Sequence, residues 1–117
     1  MTNEDKEFWK NERKLQLKEE RDYLDNMKGI AYEKDDDIEN AIKIYEKVVS
    51  RKFDGSHPYD RLCVLYRKQG NLAAEEAVLI KAIKVFTQIA HDGRDDGQPK
   101  LERYQKRLET VHKKMHK

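Results

Sequence analysis

Eight pairs of residues in this chain correspond at one shared separation of 34 positions. They are Tyr32 and Tyr66, Asp36 and Gly70, Ile38 and Leu72, Ile44 and Val78, Tyr45 and Leu79, Lys47 and Lys81, Val48 and Ala82, and Val49 and Ile83. Helical amphipathicity alone would accept any multiple near 3.6 residues, so a single separation held without a gap points to a repeated structural unit. Each unit is long enough for two short helices and a turn.

The apolar spacing predicts those helices. One long helix, or two with a bend near Glu20, is expected over Asn3 to Lys34, and its first half is long enough to project from the body. An aspartate of Asp35–Asp37 caps the next helix, about Ile38 to Lys52, with Ala41, Ile42, Tyr45, Val48 and Val49 as its stripe. Gly55 suits a left-handed turn, and Ser56 with Pro58 suits the start of a helix from about His57 to Gln69. Gly70-Asn71 turns the chain into a helix from about Leu72 to Ala90. After a polar loop, Pro99 opens a last helix to about His116, whose single seam is Leu101, Tyr104, Leu108, Val111 and Met115.

Composition agrees with a thin, extended core. Charged residues make up 41% of the chain, against about 25% in an ordinary domain, and only 37% is hydrophobic. Five glycines and two prolines encode few breaks. The lone Cys63 cannot form an internal disulfide. No apolar run follows the charged N-terminus, and none approaches the ~20 residues of a membrane span. A cytoplasmic protein without a signal peptide is expected.

A 34-residue period of helix-turn-helix units resembles the tetratricopeptide repeat. The first copy supplies Gly29, Tyr32, Ala41 and Tyr45; the second supplies Tyr59, Leu62, Cys63, Tyr66, Leu79 and Ala82. Gly29, Ala41 and Cys63 are small where paired helices approach, while Tyr32, Tyr45 and Tyr66 fill the space between neighbours. Three departures stand out. Asp25 and Lys28 replace the usual aromatic and leucine, and Glu75 replaces the usual alanine. The resemblance implies an all-α, right-handed superhelix of about five helices. Its parts would be an N-terminal helical extension (1–21), two repeats (22–55 and 56–89), a polar loop (90–98) and a C-terminal capping helix (99–117). The extension and the last helix would cover the open ends.

The resemblance also implies a task. First helices of such repeats line a groove that holds a peptide or helix of a partner protein. The corresponding residues here are Tyr23, Asn26, Met27, Ile30, Glu33 and Lys34 from the first copy, and His57, Asp60, Arg61, Val64, Arg67 and Lys68 from the second. Lys34, Arg61, Arg67 and Lys68 make the rim basic, which suits an acidic partner. Two other readings stand beside the adaptor. The basic last helix is a nucleic-acid surface in one, although it lacks interleaved aromatics and reads better as a solubilising face. In the other, Phe8, Trp9 and Leu15 on the first helix mediate self-association, in place of folding back with Leu17 over the first repeat.

No catalytic site is expected, and no cofactor or metal. Cys63 has no base beside it and occupies a packing slot. His112 and His116 share a helix face but lack a third ligand in sequence. There is no glycine-rich phosphate loop and no recognisable nucleophile triad.

Overall fold

The computed structural model describes residues 2–117 as five helices: α1 (Asn3–Lys34), α2 (Ile38–Ser50), α3 (His57–Lys68), α4 (Leu72–His91) and α5 (Gly97–Met115). No strand occurs among the described residues. Helices α1 and α2 form one pair and α3 and α4 a second; α3 also packs on α2, and α5 packs along α4. No helix is long and apolar enough to cross a membrane.

Local chemistry sets the ends. Thr2 and Asp5 form a reciprocal cap on α1. Asp37 caps α2 by accepting from the Asn40 amide, and Asn71 caps α4 by accepting from the Ala74 amide. Two expectations about the turn before α3 need correction. Ser56 precedes α3 without a side-chain cap, because Pro58 at the helix start removes a donor that it would satisfy. Gly55 is not the left-handed residue; Lys52 is, with φ 59°. The helix α5 also begins earlier than Pro99, at Gly97. A Cβ on Gly97 would lie 2.6 Å from the Ala90 amide nitrogen, so only glycine lets α5 start this close to the end of α4.

The core joins all the pairs. Ala41, Tyr45 and Val49 of α2 meet Tyr59, Leu62 and Leu65 of α3, Val78, Leu79, Ala82 and Phe86 of α4, and Leu101, Tyr104 and Val111 of α5. Tyr59, Phe86 and Tyr104 form an aromatic cluster with centroids 5.5 to 6.4 Å apart, Tyr59 edge-to-face with both of the others and Phe86 tilted at 45° to Tyr104. Cys63 is buried as expected, and burial pushes its thiol up to about 12. Gly29 lies against Tyr45: a Cβ there would come within 2.3 Å of the tyrosine ring. Tyr32 does not pack as its repeat partners do and stays 37% exposed.

The first half of α1 is one unbroken helix that leaves the body. Residues 2–21 are all exposed, and the molecule measures 63 Å along its longest axis. Folding back of Phe8, Trp9, Leu15 and Leu17 over the first repeat is therefore overturned. Their side chains are more than half exposed, at 52 to 61%. The reason is continuous helical geometry: nothing in the sequence between Asn3 and Lys34 bends the helix back towards its own body.

Candidate functional site

Part of the residue set read from the sequence is brought together where side chains link α1 to α3 and α3 to α5. From α1, Asn26, Ile30 and Glu33 turn towards α3. The Asn26 Oδ1 atom lies 3.1 Å from His57 Nδ1. Arg61 Nη2 donates to Glu33 Oε1 at 2.6 Å, and its Nε bridges both carboxylate oxygens. Tyr45 Oη adds a third donor to Glu33 at 2.6 Å. On the other side of α3, Asp60 accepts from both Nη atoms of Arg103 on α5, at 3.0 and 3.2 Å.

This arrangement fixes protonation states. Burial would raise the Glu33 pKa, but donation from Arg61 and Tyr45 outweighs it and holds the carboxyl below its ordinary value. The same carboxylate, together with burial, pushes the Tyr45 hydroxyl up. Burial and the nearby Arg61 lower His57, although Glu33 and Asp60 pull the other way. His57 is thus a neutral imidazole at pH 7, stacked edge-on to Tyr45 at 5.8 Å.

Not every expected groove residue takes part equally. Ile30, between the two polar bridges on α1, and Val64, which follows Arg61 on α3, are half-buried. Tyr23, Lys34, Arg67 and Lys68 are exposed. Met27 lines a cleft on the outer side of α1, formed with Leu17 and Leu24. The basic rim is also smaller than the sequence suggests. Arg61 is held by Glu33, and Arg67 donates at 3.0 Å to Glu75. Lys34 and Lys68 have no ion pair among the described residues.

The sequence departures fall into place here. Glu75 has no exposed surface, yet Arg67 and Arg107 both donate to it, Arg107 at 2.9 and 3.2 Å. Burial opposes its ionised form, but the two guanidiniums win and lower its pKa. Asp25, with its neighbour Asp22, accepts from Arg51 at 2.8 and 2.9 Å. At Asp25 and Glu75 an arginine-bound carboxylate stands where the repeat pattern has an apolar residue, while Lys28 is exposed and pairs with Asp25 at 3.7 Å. These partners are 26 to 32 residues away in sequence, apart from Arg67, so no local pattern announces them.

Part of the basic last helix is tied inwards, while Lys106, Lys113, Lys114 and Lys117 are exposed. Arg103 pairs with Asp60, Arg107 with Glu75, and His112 meets Glu76 at 2.7 Å; Lys100 pairs locally with Asp96 at the start of α5. A cleft that the sequence did not suggest lies on the opposite side, between α2 and α4. Val49, Lys52, Lys81, Lys84, Val85 and Ile89 are among its walls.

The family model of the tetratricopeptide repeat matches residues 26–54. That segment holds the second half of the packed part of α1, all of α2 and the turn beyond it. The resemblance read from the 34-residue separation thus holds for this helix pair. Repeats of this family generally mediate protein–protein interaction and are typically non-catalytic. Comparison with curated proteins and with solved structures gives no match.

Proposed function

We propose that the chain is a non-catalytic adaptor that holds a peptide or helix of a partner protein across α1, α3 and α5. In this reading it carries two repeats, 22–55 and 56–89, and works in the cytoplasm. The observation that carries it is the incomplete burial of both Ile30 and Val64. These two apolar side chains occupy equivalent positions on neighbouring helices and are only half-buried. Asn26–His57 and Glu33–Arg61, which flank Ile30, link the two helices. A partner's apolar side chain between them would gain burial without ordering the site anew. Any preference for an acidic partner would rest on Lys34 and Lys68, since Arg61 and Arg67 are engaged within the fold.

The test is a pull-down from native lysate that compares the intact chain with Ile30→Glu/Val64→Glu. Arg61 is left alone, because its loss would strand Glu33 and perturb folding. A protein retained by the first bait and lost from the second, at equal helicity, supports the reading. Identical captures from both baits refute it.

A further inference from the structure

The cleft between α2 and α4 belongs to the second helices of the two pairs, so the groove of α1, α3 and α5 makes no use of it. Both helices pack on α3, and the space left between them is about 710 Å³. Its floor is apolar. Val49 of α2 is buried, while Val85 and Ile89 of α4 are half-buried and keep surface open. Lys81, Val85 and Ile89 follow one another at four-residue steps, with Lys84 beside them. One face of α4 therefore carries two cations and most of the floor. Lys52 lines the cleft from the turn after α2. Its φ of 59° is one that glycine would adopt without strain. The strain is thus kept at a residue that adds a third cation to the cleft.

We propose that this cleft binds a short acidic segment of a partner protein, with one apolar side chain flanked by carboxylates. Charge selects the ligand. The charged residues that line the cleft are Lys52, Lys81, Lys84 and Asp54. Asp54 already has a cation, because Arg94 donates to its carboxylate at 3.2 Å and to its backbone carbonyl at 2.6 Å. Lys81 reaches Glu46 only at 3.8 Å, and neither Lys52 nor Lys84 has an ion pair among the described residues. Glu46 in turn accepts from Tyr66 at 2.8 Å. Carboxylates of a bound segment would supply the partners that these lysines lack. The floor separates a peptide from a bare anion. An aliphatic side chain laid on Val85 and Ile89 buries apolar area that a phosphate cannot. No aromatic residue is among those lining the cleft, so it offers nucleic-acid bases nothing to stack on.

Fluorescence anisotropy with the full chain tests this. The probe is a pool of labelled peptides in which leucine, isoleucine or valine is flanked on both sides by aspartate and glutamate. Saturable binding in the micromolar range is expected, weakening as salt rises. Lys81→Glu/Lys84→Glu should weaken it by roughly tenfold at unchanged helicity, since both side chains are exposed. Lys52→Gly should also weaken binding while relieving the turn, a combination that a loss of stability cannot produce. Ile30→Glu/Val64→Glu should bind the pool as the intact chain does, so either site can fail without the other. A pool that does not bind even at millimolar concentration overturns the proposal. So does binding that survives Lys81→Glu/Lys84→Glu. Equal affinity for a pool with glycine at the central position would make the cleft a simple anion site. Tighter binding of a single-stranded oligonucleotide of equal charge would make it a nucleic-acid site. Either result overturns the peptide as its ligand.

Discussion

A carboxylate taken wholly out of water destabilises a fold unless cations and hydrogen bonds compensate for its lost hydration. Glu75 meets that condition through Arg67 and Arg107. Glu75→Gln keeps the shape but not the charge, and should lower unfolding free energy by about 2–3 kcal/mol in urea titrations at neutral pH. The acid side follows from the same groups. Asp25, Glu33 and Glu75 have lowered pKa values in the fold. The unfolded chain therefore binds their protons first, and the stability they supply, complete above the ordinary carboxylate range, is lost as pH falls through it. His57 is also lowered, so its contribution declines below its ordinary value of 6.5. Both effects have one sign. Stability should fall steadily from neutral towards acid pH, and Glu75→Gln should flatten the part below about 4.5. Lys52 offers the opposite case. Its φ of 59° is strained for a side chain with a Cβ, so Lys52→Gly should raise stability by about 0.5–1 kcal/mol.

At the scale of the element, α1 is two things in one helix. Beyond Asp22 it is anchored by Arg51, by Glu33–Arg61 and by Gly29 against Tyr45. Before Lys18 it touches nothing in the body. An isolated helix of about 15 residues is marginal in water. Amides of residues 3–16 should thus exchange with deuterium within seconds, while those of α2 and the anchored half of α1 stay protected. Slow exchange at neutral pH in a dilute, monomeric sample would contradict this. The sequence showed the helix and its ends because apolar period and caps are local signals. It did not show which half is packed, since Phe8 and Trp9 look as apolar as any core residue. What decides the matter is the set of distant partners: Asp22 and Asp25 reach Arg51, and nothing comparable reaches Trp9. The equivalence of Ile30 and Val64 was legible for the same local reason, through the 34-residue separation. The internal pairing of Arg61 and Arg67 was not, because an ion pair between helices leaves no period in the sequence.

The whole molecule is a thin stack whose two ends are closed differently. At one end, α1 leaves an apolar face open; at the other, α5 covers α4 along its length. Removing the two ends should have opposite consequences. Deleting residues 3–16 removes no core contact and should leave the melting temperature nearly unchanged. Deleting 97–117 removes Leu101, Tyr104 and Val111 from the core and uncovers Phe86 and Tyr59. It also strands Glu75 with a single arginine, itself 42% exposed. Losing three buried apolar side chains costs about 2–5 kcal/mol each, comparable in sum to the stability of a domain this size. The shortened chain should therefore lose cooperative unfolding altogether and more helicity than α5 itself contributes, as read by circular dichroism during heating. A sharp melt after that deletion would mean that the first four helices hold together on their own, and that the cluster of Tyr59, Phe86 and Tyr104 is not where the stack is secured.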